Sequence, residues 1–287
     1  MPDNQLRSAV DRFSNLVVDL PDNELERQWV WGSYDSEGVR FAFFRTYEQL
    51  RELAVKIRHA RGLAGAPISS AQIVLAQYHS AYMDLQSLLL GVDPELEERP
   101  PAEDEWPPRR IVAHIVGADL GFYVAIKFAL DRHRQGLEPV AEMSDETWLE
   151  LAMLEEDEID AVMKGPIPGL ENFHQELHAR ILSEFADIQE GELGLRARFW
   201  EKEPMALRFR LHRFDSHMRQ HTIQLNKTLY ALGYIPYEAK RLLRLINEAL
   251  GEVEGTLIGA GEVGAGLVGE VADSIVARTD EIEAVLG

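Results

Sequence analysis

Apolar residues recur at helical spacing through most of the chain, whereas long runs that alternate apolar and polar residues are scarce. The five strongest amphipathic segments predict the long helices 36–62, 69–91, 106–136, 170–190 and 205–232. Shorter helices are predicted near the two ends, over 4–20 and 239–253, and a terminal helix follows a glycine-rich stretch. The pattern therefore predicts an all-α protein.

Proline and glycine mark the ends of these segments. Residues 93–108 are acidic and rich in proline, which indicates a solvated connection, and Pro107 and Pro108 suit the first turn of the helix that follows. The sequence GPIPG (165–169) interrupts whatever precedes it, leaving room for one short helix over 144–163. The segment 21–35 carries no pattern that assigns it to an element.

Three histidines form the main candidate for chemistry. His217 and His221 are four residues apart, so both imidazoles lie on one side of the predicted helix 205–232. His114 lies on the apolar side of helix 106–136, where a hydrogen-bonded core histidine is the competing interpretation. Together the three predict a divalent metal site with one coordination position left open, as in catalytic sites.

Several polar residues have a second interpretation. Gln224 lies one turn beyond His221, where it could orient a ligand from the second shell. Arg210 and Arg219 could hold a substrate carboxylate, although an exposed salt bridge is the simpler role for each. His174 and His178 form a competing pair with the same spacing. The acidic run 155–158 is interpreted as a solvated face, because four consecutive residues point around a helix.

Two motifs resemble a known family. Trp106-Pro-Pro-Arg-Arg-Ile-Val-Ala-His114-Ile and His217-Met-Arg-Gln-His221-Thr-Ile-Gln224 resemble the second- and fourth-helix motifs of the DinB-like, YfiT-type four-helix-bundle proteins. The resemblance covers roughly 69–236, and the ending Leu-Gly-Tyr-Ile-Pro (232–236) also fits. It implies that His114, His217 and His221 bind zinc or nickel at one end of a bundle.

The resemblance also implies an organisation and an activity. It predicts an N-terminal helical extension (1–66), a DinB-like four-helix bundle (67–236) and a C-terminal helical tail (237–287). Similar proteins include thiol-dependent S-transferases, so a metal-dependent thiol transferase is expected, with a hydrolase or a non-enzymatic stress-response module as alternatives. Asp119 departs from the family pattern, which often has a glutamate five residues after its first histidine.

Composition narrows the remaining possibilities. The chain has no cysteine, which excludes thiolate metal sites and a cysteine nucleophile, and its net charge of −20 disfavours nucleic acid. No secretory signal is recognised at the N-terminus, and His114, Asp119 and Lys127 make 111–130 a buried helix rather than a membrane span. We therefore expect a cytoplasmic protein with a small-molecule substrate, such as a low-molecular-weight thiol, and the sequence allows a homodimer.

A glycine motif near the C-terminus imitates a nucleotide-binding fingerprint. Residues 259–264 spell GxGxxG, but that chemistry needs a preceding strand and a second strand that carries an acidic residue. The chain offers no room for the second strand. Close helix packing or a turn is the better explanation of these glycines.

Overall fold

The computed structural model describes residues 5–32, 37–201 and 203–287. Its helices are α1 (Gln5–Val17), α2 (Val39–Leu63), α3 (Ser70–Leu89), α4 (Pro108–Arg134), α5 (Asp145–Ala152), α6 (Glu156–Lys164), α7 (Ile167–Phe185), α8 (Leu207–Ala231), α9 (Glu238–Leu257) and α10 (Ala265–Leu286). The antiparallel pair β1 (Arg196–Ala197) and β2 (Met205–Ala206) is the sole sheet in the described part of the chain. The prediction of an all-α protein is confirmed.

The short 3₁₀ helices lie in the connections, at Asp22–Glu26, Pro94–Leu96 and Glu192–Gly194. The first of them falls in the segment to which the sequence pattern assigned no element. The other two precede α4 and β1. Turns of three to five residues carry too little periodicity to be recognised from apolar spacing.

The region predicted to hold one short helix contains two. Ser144 caps α5 because its Oγ accepts a hydrogen bond of 3.1 Å from the backbone N–H of Thr147. Met153 then adopts φ 60°, which ends that helix. A capping box starts α6, where Glu158 accepts from the backbone N–H of Glu155 at 2.9 Å. The acidic run 155–158 is exposed, as predicted.

Helix α7 begins three residues before the predicted position of 170. The reason lies in the two prolines of the GPIPG sequence. Pro166 is the N-cap residue and Pro168 occupies the first turn, where a missing backbone N–H has no cost. The motif therefore breaks the preceding helix, as predicted, and also starts the next one.

The chain divides into two compact units. One unit contains 1–68, 82–92 and 235–287, and the other contains 69–81 and 93–234. Helices α1 and α2 of the predicted N-terminal extension and helices α9 and α10 of the predicted C-terminal tail lie in the first of these units. Within that unit α1 packs on α10, and α2 packs on α9 and α10.

Buried polar side chains fix the connections of this first unit. Arg61 is 2% exposed and donates to the carbonyl oxygens of Thr256 and Ile258 at 2.7 and 2.8 Å, at the end of α9. Gly264 has φ 92°, and a Cβ there would lie 3.1 Å from Ile57 Cγ1. The GxGxxG sequence is thus a turn between two helices with one close contact, as predicted.

The second unit holds the bundle formed by the start of α3 together with α4, α7 and α8. Helix α4 packs against α7 and α8, and α5 and α6 lie against α4. Helix α4 contains an apolar stretch that is long enough to cross a membrane, but 67% of that stretch is buried inside the protein. The residues that build this core include Ile111, Ile115, Leu120 and Val124. Helix α4 is therefore the central core helix of the bundle.

Candidate metal centre

Helix α8 carries a polar strip along one buried side. The strip consists of Arg210, Phe214, His217, His221, Gln224 and Thr228. All except Gln224 are buried, and the neighbouring row of Leu211, Met218 and Leu225 packs in the core. Because residues four apart share a side of a helix, the His217 and His221 rings lie close together, with centroids 4.4 Å apart.

His114 approaches the same point from α4. Its Nε2 lies 3.1 Å from Nε2 of His217, and its ring centroid is 4.5 Å from that of His221. One nitrogen from each of the three rings lies within 4.8 Å of the other two. Trp106, just before α4, presents an edge-on contact to His114 with centroids 5.2 Å apart. The structure therefore brings together the three histidines that the sequence singled out.

The geometry suits a divalent cation. Two imidazole nitrogens bound to one zinc ion at about 2.0–2.1 Å, with tetrahedral angles, lie about 3.3–3.4 Å apart. The 3.1 Å between His114 and His217 is close to that separation. Within the described ranges, no other group of three or more metal-binding side chains converges in this way.

Burial favours the neutral form of two of the imidazoles, His217 and His114. It lowers the pKa of His217 to about 3, with smaller contributions from His221, His114 and Arg213. Burial also lowers the pKa of His114, to which His221 and Arg110 add. A neutral imidazole offers the lone pair that a metal needs, so the pocket favours the protonation state that binds metal.

Gln224 fixes the orientation of His221. Its Oε1 lies 2.7 Å from His221 Nδ1, and because this oxygen can only accept, Nδ1 carries the proton. The lone pair of His221 is then on Nε2. Nδ1 of His217 is also buried but has no hydrogen-bond partner among the described residues. Gln224 therefore lies where its side-chain oxygen can orient the His221 ring.

A cavity of about 280 Å³ lies next to two residues that contact the histidine cluster. Its lining includes Trp106 and Gln224, which contact His114 and His221 respectively. Lys227 and Thr228 follow on α8, and two acidic residues precede Trp106. A small molecule therefore has room beside the cluster.

The competing pair lies elsewhere in the same unit. His174 Nε2 is 3.0 Å from Asp119 Oδ2, and Tyr78 donates to the same oxygen at 2.8 Å. His178 Nε2 is 3.2 Å from His79 Nδ1. All five side chains are at least 95% buried. His174 and His178 therefore belong to a second, buried polar network together with Asp119, Tyr78 and His79. Within it, Asp119 is hydrogen-bonded to His174 and Tyr78.

Aromatic rings lie between the network and the three-histidine cluster. Tyr78 contacts Phe214 with ring centroids 4.9 Å apart, and Phe122 contacts both Phe214 and His217 at 5.7 Å. Sequence reasoning missed Tyr78 and His79 as network members. The signal was weak, since both residues lie on an apolar helix and their partners come from α4 and α7.

The two arginines have different surroundings. Arg219 is half-exposed and pairs with Asp215, one turn earlier, at 2.7 Å, as predicted. The prediction of an exposed salt bridge is wrong for Arg210, which is fully buried and bonds Glu201 at 2.6 Å. The physical reason is that the segment before β2 folds back over the start of α8 and covers the guanidinium.

Fold and site together define an all-α bundle protein with three converging histidines. The profile of the DinB superfamily matches residues 77–225, a range that contains His114, His217 and His221. The chain belongs to the DinB superfamily.

One solved structure is similar to this chain. It is YfiT from Bacillus subtilis, with 14% identity and a TM-score of 0.35 over 74% of this chain and 99% of that chain. YfiT is described as a probable metal-dependent hydrolase with an unusual four-helix bundle topology. No curated protein matches the sequence.

Proposed function

We propose that this protein is a divalent-metal-dependent enzyme in which His114, His217 and His221 hold one ion. The observation that carries the proposal is the convergence of one nitrogen from each of three imidazoles to within 4.8 Å of one another. Three protein ligands leave a position for substrate, as in catalytic zinc sites. The proposed ion is zinc or nickel, which three imidazoles suit well.

The side chains around the cluster have separate roles in this proposal. Gln224 holds the His221 ring in the tautomer that presents Nε2. Trp106 covers one edge of His114 and limits the directions from which a ligand can approach. A bound divalent cation would lower the pKa of a thiol or a water molecule beside it, which makes either a nucleophile at neutral pH.

We further propose that the nucleophile is a low-molecular-weight thiol. The thiol loses its proton to solvent, its sulfur forms a bond to an electrophilic carbon, and the leaving group departs with the electrons of the broken bond. The family resemblance in the sequence supports thiol over water, and the cavity beside Gln224 offers space for the thiol's carrier. Hydrolysis is the other outcome of the test below.

The metal is tested first, on protein purified without an affinity tag. Elemental analysis after reconstitution should find close to one divalent ion per chain, and His217→Ala should lose most of it. His212→Ala is the matched control, because His212 is exposed on the same helix and should leave the metal content unchanged. Metal-free wild-type protein after reconstitution would refute the proposal.

The chemistry is tested on the metal-loaded protein. Attack of bacillithiol, mycothiol or glutathione on a haloarene should be accelerated, and His221→Ala should abolish the acceleration while circular dichroism shows unchanged helical content. Thiol-independent cleavage of esters or amides would replace the transferase by a hydrolase. Absence of both activities, with metal bound, would favour the non-enzymatic binding module.

A further inference from the structure

A second cavity, in the same unit as the three-histidine cluster, is lined by Phe199. It has a volume of about 360 Å³, near the lower limit of about 300–1,000 Å³ for small-molecule sites. Phe199 contacts Phe122 with ring centroids 5.4 Å apart, and Phe122 in turn contacts His217 at 5.7 Å. This α5 cavity, as we name it, shares no lining residue with the cavity beside Gln224.

Four large apolar side chains line the α5 cavity: Phe128, Met143, Trp148 and Phe199. Trp148 lies in the first turn of α5, the helix that Ser144 caps. Phe199 lies directly on α4, because Gly121 has no side chain. A Cβ at position 121 would lie 2.6 Å from the Phe199 ring. The aromatic rings of the lining therefore come from different elements, with Trp148 on α5 and Phe199 packed against α4.

Arg198 supplies the positive charge of the cavity lining. Its side chain is exposed, so the guanidinium is accessible to a ligand. Arg198 forms no salt bridge with any carboxylate that the structure describes, not even with Glu142 in the same lining. The Arg132 guanidinium adds charge nearby, 5.4 Å from the Phe128 ring centroid.

We propose that the α5 cavity binds an organic carboxylate with an aromatic or branched apolar body. The apolar body would lie against Trp148 and Phe199, and the carboxylate would accept hydrogen bonds from the Arg198 guanidinium. Planar guanidinium groups form paired, charge-assisted hydrogen bonds with carboxylates, which gives this class an advantage over neutral molecules of the same shape. The proposal does not depend on the activity of the three-histidine cluster.

The test is calorimetry on the full chain with 1-naphthoate and its neutral isostere 1-naphthamide, before and after metal chelation. Naphthoate should bind more tightly than naphthamide in both states, since the site contains no proposed metal ligand. Arg198→Gln should weaken naphthoate binding about 10-fold or more, the effect expected for a hydrogen-bonded charge pair. The matched control is Arg208→Gln, an exposed arginine that pairs with Glu190 outside the cavity.

Two further variants keep the test decisive. Glu142→Gln removes a negative charge from the lining and should tighten naphthoate binding by about 2- to 5-fold. Ala141→Trp should fill the cavity from a loop and remove binding, with circular dichroism to show that the fold is retained. Weaker binding to Glu142→Gln, no saturable binding at millimolar naphthoate, or binding that disappears on chelation would overturn the proposal.

Discussion

Removing the hydrogen-bond acceptor of His221 should weaken metal binding without removing a ligand. In the wild-type protein, His221 Nδ1 donates to Gln224 Oε1 across 2.7 Å. The variant Gln224→Leu keeps a side chain of similar length but cannot accept this hydrogen bond. The net free energy of one such bond is about 0.5–1.5 kcal/mol, equivalent to about 2- to 12-fold in affinity. Without the acceptor, the His221 ring can also rotate and change tautomer, which weakens metal binding further. We therefore expect the metal affinity to fall about 10- to 100-fold overall.

The assay is competition for zinc or nickel against a chromophoric chelator, on untagged protein. Stoichiometry should remain one ion per chain, because the three imidazoles are intact. Gln224→Glu provides a carboxylate acceptor in place of the amide and should retain at least the wild-type affinity. The matched control is Gln220→Leu, which changes an exposed residue of the same helix.

Two outcomes of the affinity measurement would contradict the role proposed for Gln224. If the affinity of Gln224→Leu stays within about two-fold of wild type, the bond contributes no more than a weak surface contact. The interpretation of Gln224 as an orienting residue would then be wrong. A loss of similar size in Gln220→Leu would instead indicate a general effect of leucine on the helix.

Two variants and one binding assay test other parts of the protein. Glu201→Gln should lower the free energy of unfolding by about 1–3 kcal/mol in urea titrations, because it leaves the buried Arg210 with a weaker partner. A thermal shift of zero would contradict the burial of that pair. Ser144→Ala should cost about 1 kcal/mol and increase hydrogen exchange in α5, and unchanged exchange would rule out the cap. Fluorescence anisotropy should show no submicromolar binding to duplex DNA at physiological salt, given the net charge of −20.

The sequence was most informative where one pattern covered many turns. The helix predicted over 205–232 is observed as Leu207–Ala231, because its apolar row and its polar strip repeat over seven turns. The same strip placed His217 and His221 together by helix geometry alone. The position of His114 could not be predicted from one helix, because the packing of α4 against α8 brings its Nε2 to 3.1 Å from His217 Nε2. The family motifs supplied that link.

The missed features depend on contacts between distant segments. Arg210 was expected at the surface, but the chain before β2 covers it, and helical periodicity does not predict where a loop folds. His79 and His178 are 99 residues apart, and their pairing follows from the packing of α3 against α7. Single-helix patterns indicate which face is buried, but not which polar groups meet across helices.

Asp119 provides the most direct test of the second polar network, in which its carboxylate contacts His174 and Tyr78. Burial raises the pKa of its carboxyl, and the hydrogen bonds and charge of His174 and the hydroxyl of Tyr78 lower it by less. The folded chain then retains a proton that the unfolded chain has lost, so this group's contribution to stability declines as pH rises from the usual aspartate range through the raised pKa.

Asp119→Asn mimics the protonated carboxyl, so the free energy of unfolding of the variant should increase relative to wild type across that window and then level off. Urea titrations of metal-free protein at several pH values measure this difference, in which the titration of residues outside the network cancels. The titratable groups facing Asp119 are His174 from α7 and Tyr78 from α3, with the His79 and His178 pair beside them. Asp119→Leu should be destabilising at every pH, because it removes the acceptor shared by Tyr78 and His174. A variant that loses stability relative to wild type as pH rises would show instead that His174 holds Asp119 ionised as a buried ion pair.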